Sequence, residues 1–175
     1  GFIAFYDGDY GNALEAFRVV ENNPQYGKVV PYYISTIQYS LKKEDTAVAY
    51  AESKLKSGNQ VYDLEMRQLV GHSYFQKKQF SKALPYLEEY VNKSKKVSRQ
   101  DLYELSYSYY QTNNLQKAIE GFKQLGGKED SLAQDAMYLL GDAYLKTNQK
   151  ANARNAFLFC SANSSNSRQK EISAF

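Results

Sequence analysis

The stretch Leu69 to Val91, LVGHSYFQKKQFSKALPYLEEYV, decides the fold. Gly71 and Tyr74 lie within one helical turn of each other, as do Ala83 and Leu87, and the polar run Gln76-Lys77-Lys78-Gln79 separates the two pairs. The pattern reads as helix, turn, helix. It recurs at Ser106, Tyr109, Ala118 and Phe122, and again at Gly141, Tyr144, Ala153 and Phe157, in steps of 35 residues. Toward the start, Ala13 and Phe17 match the second half with Gly1 in the glycine position, and Ile37, Ser40 and Ala49 read as a degenerate copy between.

Working outward, the apolar periodicity predicts helices near 10–22, 27–42, 44–57, 60–77, 80–94, 98–112, 115–126, 130–147 and 150–163, with partial helices at both ends. Turn-like separators punctuate them: Asp7-Gly8-Asp9, Lys42-Lys43-Glu44-Asp45, Asn113-Asn114, Gly126-Gly127 and Asn148-Gln149. Ser161 to Ser167, SANSSNS, reads as a loop. A lone helix pair has one apolar side per helix and cannot bury it, whereas stacked pairs share a continuous core. Gly71, Ser106 and Gly141 are therefore expected where the two helices of a unit cross closely, with Ala83, Ala118 and Ala153 opposite. The fold class expected is all-α, a right-handed superhelical solenoid of antiparallel helix pairs.

Composition narrows the function classes. The chain has 175 residues, 43% hydrophobic and 23% charged, which is ordinary globular material. Its net charge of +3 is small against 22 basic and 19 acidic side chains, so no nucleic-acid-binding field is implied. The single cysteine, Cys160, excludes an intrachain disulfide framework. No apolar run approaches the roughly 20 residues of a membrane span, so no direct membrane insertion is expected, and the start GFIAFYDGDYG lacks the basic region of a signal peptide. Seventeen tyrosines stand against no tryptophan.

The repeated pattern resembles the tetratricopeptide repeat, whose signature is W-x2-L-G-x2-Y followed by A-x3-F and a proline. Leu140-Gly141-x2-Tyr144 with Ala153-x3-Phe157 matches it most closely; Val70-Gly71-x2-Tyr74 with Ala83-x3-Leu87, and Leu105-Ser106-x2-Tyr109 with Ala118-x3-Phe122, match with conservative replacements. Arg67, Leu102 and Met137 stand where the tryptophan belongs, and terminal prolines are absent apart from Pro24. The resemblance implies one array over 1–175, with units near 1–36, 37–70, 71–105, 106–140 and 141–175. Tyrosine-rich arrays of this kind are similar to parts of large bacterial cell-envelope proteins, which points to the periplasm or envelope. Pentatricopeptide proteins share the period, but reading RNA demands a basic groove that the balanced charge does not supply.

The resemblance also implies a concave groove lined by the first helix of each unit, through residues three before the glycine position and one and four after it. Transferred position by position, the groove residues are Ile34, Gln38 and Leu41; Gln68, His72 and Phe75; Tyr103, Tyr107 and Tyr110; and Tyr138, Asp142 and Leu145. Tyr103, Tyr107 and Tyr110 recur at i, i+4 and i+7 and make one stripe on one helix. Tyrosine offers large contact area, little rotamer entropy and a polar tip, which suits recognition. The lysine, asparagine and arginine clamp by which chaperone-binding members hold a terminal carboxylate has no counterpart here.

No catalytic constellation is legible. His72, the only histidine, has neither an orienting acid and nucleophile nor further metal ligands at suitable spacing, so it reads as a surface or groove imidazole. Cys160 reads as a buried small hydrophobe. The pairs Glu88-Glu89 and Glu129-Asp130 read as solvated surface, and the basic run Lys93 to Arg99 as a complement to a helix C-terminus. The function expected is a non-enzymatic protein-interaction module, without cofactor or metal, that binds a peptide or protein segment in an aromatic groove. The alternative is a structural spacer or self-associating array within a larger cell-envelope protein. Phe2, Ile3, Phe5 and Tyr6 at one end, and Ile172 and Phe175 at the other, are expected to be bare apolar groups, as in a piece excised from a longer array that self-associates through uncapped ends.

Overall fold

The computed structural model describes residues 1–162. Ten α-helices follow in order: α1 (Phe2–Tyr6), α2 (Tyr10–Val20), α3 (Val30–Ser40), α4 (Glu44–Ser57), α5 (Asp63–Gln76), α6 (Phe80–Lys93), α7 (Arg99–Gln111), α8 (Leu115–Lys123), α9 (Ser131–Lys146) and α10 (Lys150–Ala162). A short 3-10 turn, Tyr26–Lys28, leads into α3. The described residues contain no strand. The expected helices match these bounds closely; the expected SANSSNS loop does not begin at Ser161, since Ser161 and Ala162 complete α10, and its remainder, like Ile172 and Phe175, lies outside the described residues.

The turn between the two helices of a unit is built the same way each time. Gly8, Lys42, Lys78, Asn113 and Asn148 all adopt the left-handed conformation, with φ of 79°, 62°, 57°, 62° and 60°. In four of the five units two backbone bonds close the turn. The left-handed residue donates to the carbonyl three back (Lys42 to Tyr39, 3.0 Å; Asn113 to Tyr110, 3.1 Å), and the next residue donates to the carbonyl five back (Lys43 to Gln38, 2.9 Å; Gln149 to Tyr144, 2.7 Å). These bonds satisfy carbonyls that a helix end leaves open and stop the first helix sharply. Only glycine adopts this conformation without steric cost, and asparagine tolerates it better than lysine does.

This periodic landmark corrects the second unit. The left-handed residue falls seven positions after Gly1, Gly71, Ser106 and Gly141, and counting back from Lys42 gives Ser35, not Ile37. Ser35, Gln38, Ala47 and Ala51 then carry the full spacing, and Ser35, Ala47 and Ala51 are wholly buried. Ile37 is also buried, but Ser40 and Ala49 are exposed. The unit was hidden because serine, glutamine and two alanines fill its four key positions.

The chain forms two compact bodies, Gly1–Lys77 and Lys78 onward. In the first, α1 to α4 pack in sequence, α4 packs on α5, and α3 also touches α5. Its core gathers Ala13, Phe17, Val30, Tyr33, Ile34 and Ile37. Phe5 is half-buried rather than bare, meeting Tyr33 at 5.0 Å, whereas Phe2 stays exposed at 36% although it meets Tyr33 and Phe17 edge-on at 4.9 and 5.1 Å. Ile3 and Tyr6 do face water, at 80% and 73% exposure. Tyr74 of α5 donates its hydroxyl to Glu52 of α4 at 2.8 Å, tying one unit to the next.

In the second body α6 to α10 pack in sequence, and α7 also lies against α9. Ala118, Phe122, Leu125, Ala133 and Ala136 are fully buried there. Glu88 of α6 is not merely solvated surface, because it accepts the Tyr109 hydroxyl, the counterpart of the Tyr74–Glu52 contact, and pairs with Lys117 at 3.3 Å. Asp130 likewise caps α9 by accepting the Ala133 amide at 2.9 Å. It also pairs with Arg99, which donates to the Leu125 carbonyl at 2.9 Å and so belongs to the start of α7. Cys160 is buried as expected, its thiol donating to the Gln134 carbonyl at 3.4 Å. Pro85 sits inside α6 on an exposed face, where it supplies no amide to the carbonyl of the equally exposed Ser81.

Candidate functional site

The first helices carry a repeated half-buried face. In the first body the corrected register places Tyr32, Thr36 and Tyr39 on α3, beside Gln68, His72 and Phe75 on α5. The residues expected for α3 do not lie on it: Ile34 and Gln38 are core, and Leu41 is the residue that ends the helix. Tyr39 stands 6.4 Å from the His72 ring, and Gln76 Nε2 is 3.4 Å from His72 Nε2. Tyr32 leans on Tyr62 at 4.8 Å, and burial pushes its hydroxyl pKa up. Sequence reasoning missed Tyr32, Thr36 and Tyr39; the intact spacing of Ser35, Gln38, Ala47 and Ala51 was the signal that would have found them.

The second body holds the expected Tyr103, Tyr107 and Tyr110 on α7 and Tyr138, Asp142 and Leu145 on α9. The α7 rings form a continuous stripe, with centroids 5.8 Å apart from Tyr103 to Tyr107 and 6.3 Å from Tyr107 to Tyr110. Phe80 touches Tyr107 at 5.5 Å. Beneath the stripe, Phe122 is buried and meets Tyr103 and Tyr110 at 6.3 and 6.4 Å; Tyr138 meets Phe157 at 5.9 Å. Tyr103 and Tyr110 thus rest on Phe122, Tyr138 on Phe157 and Tyr107 on Phe80, while part of each tyrosine's surface stays open.

A polar cluster links the two helices. Tyr110 donates its hydroxyl to Asp142, while Lys146 donates to the Tyr110 oxygen at 2.7 Å and pairs with Asp142 at 2.8 Å. The same ammonium lies 4.4 Å from the Tyr110 ring centroid. Burial works against ionisation of Asp142, but the lysine and the hydroxyl outweigh it and hold the carboxyl below its ordinary range. Hydrogen bonding to Asp142 in turn raises Lys146. Burial pushes Tyr103 well above an ordinary phenol, and the charge of nearby Asp135 adds to the shift. Lys146 escaped the sequence reading, although its position four residues after Asp142 is the ordinary ion-pair spacing on a helix.

The arrangement offers aromatic surface, a carboxylate and hydroxyl groups, and no nucleophile set against a base. Among the described residues no three His, Cys, Asp or Glu side chains gather as metal ligands would, and no helix is long and apolar enough to cross a membrane.

Residues 103–158, which contain this face, match the model of the tetratricopeptide repeat. That segment carries tetratricopeptide repeats. No curated protein matches it by sequence. Solved structures of MamA resemble it: MamA of AMB-1 is 14% identical, with 90% of this chain and 84% of that chain covered, at a TM-score of 0.68. MamA of MSR-1 is also 14% identical, covering 97% and 92% at 0.62. MamA from Desulfovibrio magneticus RS-1 is 19% identical, covering 92% and 89% at 0.61. At such identity the likeness shows the fold, an all-α helical-repeat solenoid.

Proposed function

We propose that this tetratricopeptide-repeat chain is a non-enzymatic scaffold that receives a peptide or protein segment on the aromatic face of its first helices. The observation that carries the reading is the tyrosine stripe of α7 beside Tyr138 and Asp142 of α9. These rings are braced by Phe80, Phe122 and Phe157, so docking a partner orders few new side-chain torsions. Truncating aromatic anchors of an interface typically costs 2 kcal/mol or more, roughly thirtyfold in affinity. A pull-down with the intact chain is expected to capture a heterologous partner that Tyr107→Ala loses while its helical circular dichroism is kept. Retention of the partner by a folded Tyr107→Ala variant argues against this face.

Self-association is the second reading, favoured by the outward-facing Ile3 and Tyr6 of α1. Sedimentation of the wild-type chain against Ile3→Glu separates the two: a dimer that the charge disperses supports association through that edge.

A further inference from the structure

Resting on that reading of the α7 and α9 face, we propose that its partner is a segment bearing basic side chains, and that Lys146 occupies in the free protein the site that a partner's lysine or arginine takes over. The site already shows what it holds. An ammonium lies 4.4 Å from the Tyr110 centroid, 2.7 Å from its hydroxyl oxygen and 2.8 Å from the Asp142 carboxylate. Ring face, hydroxyl and carboxylate together make a receptor for a cation, and Lys146 enters it from the solvent side with 49% of its side chain exposed. A surface pair of this kind is weak enough to be exchanged.

A second tyrosine and carboxylate stand at the same sequence spacing on the two helices. Tyr103 and Asp135 stand seven residues before Tyr110 and Asp142 on their respective helices, and Asp135 acts electrostatically on Tyr103. Seven helical residues rise about 10 Å, which about three residues of extended chain span. A segment with two basic residues three positions apart therefore sets one on the Tyr110–Asp142 site and the other toward the negative charge of Asp135, and Tyr107 and Tyr138 provide aromatic surface between them for an apolar side chain.

The test uses the intact chain and three capped fluorescent peptides of leucine and glycine, carrying at two positions three apart either lysine, glutamine or glutamate, with binding read by anisotropy. The lysine peptide is expected to bind tightest and the glutamate peptide weakest, a difference that shrinks in high salt. Lys146→Ala should tighten the lysine peptide by roughly two- to fivefold and leave the glutamine peptide unchanged, since it removes the resident competitor. Asp142→Asn should weaken the lysine peptide even in the Lys146→Ala background. No gain from Lys146→Ala, or equal binding of lysine and glutamate peptides, overturns the proposal. If all three peptides bind alike and Tyr107→Ala abolishes them, the cation site falls and the aromatic-face reading stands. If none binds to any variant, both fall.

Discussion

Ser106 and Gly121 divide between them a role that one glycine fills elsewhere. A Cβ on Gly1 would come within 2.7 Å of the Phe17 ring, and one on Gly141 within 2.5 Å of the Phe157 ring, so these positions keep the first helix close to the second. In the unit of Ser106 the first helix carries a side chain, and the second gives way: a Cβ on Gly121 would strike the Ser106 hydroxyl. Gly121→Ala is expected to destabilise by about 1–2 kcal/mol, because overpacking outweighs the better helix propensity of alanine. Adding Ser106→Gly should restore most of that loss, since it vacates the space Ala needs. Urea denaturation of the two single variants and the double variant measures the coupling, and strict additivity would mean that the side chains do not meet.

At the scale of elements the left-handed residues carry the argument. Lysine occupies the position at Lys42 and Lys78, where glycine at Gly8 and asparagine at Asn113 and Asn148 meet the same demand more cheaply. Lys78→Gly should raise stability by about 0.5–1 kcal/mol, the steric relief exceeding the entropy that glycine loses. The same substitution at Lys82, an exposed position inside α6, should cost about 1 kcal/mol; thermal melts of both variants check the contrast. These turns also explain what the sequence revealed. Helix ends were readable because polar turn residues recur beside apolar periodicity, and the tyrosine stripe because its residues sit on one helix in a well-marked unit. The second unit was misread because lysine gives no sign of a left-handed turn and because glutamine stands in the tyrosine position. Lys146 was unread for another reason: only the packing of α7 on α9 brings it to Tyr110.

For the whole molecule, ionisable groups set the limits of stability. Asp142 and Asp130 hold carboxyls below the ordinary range in the fold, so their contribution is present above about pH 4 and is lost as pH falls through their folded values. Tyr74, pushed up to about 12 by burial and by its bond to Glu52, works in the opposite sense: its contribution is full below about pH 10 and is lost as pH rises through 12. Tyr109 and Tyr110 are raised likewise. The urea midpoint is thus expected to be flat from about pH 6 to 9 and to fall on both sides, with part of the phenolate absorbance arriving only as the chain unfolds. An alkaline limb that Tyr74→Phe and Tyr109→Phe leave unchanged would contradict the assignment. The turn residues have one more consequence, for the gene. From glycine position to left-handed residue, and from there to the alanine and phenylalanine positions, each unit counts the same number of codons. The variation falls afterwards, where Phe17 leads to Ser35, Ala51 to Gly71 and Leu87 to Ser106 across intervals that differ by one or two. Length variation within this chain is therefore confined to the interval between units, and exchange of units joined at the turn codon is expected to keep the register of every helix pair.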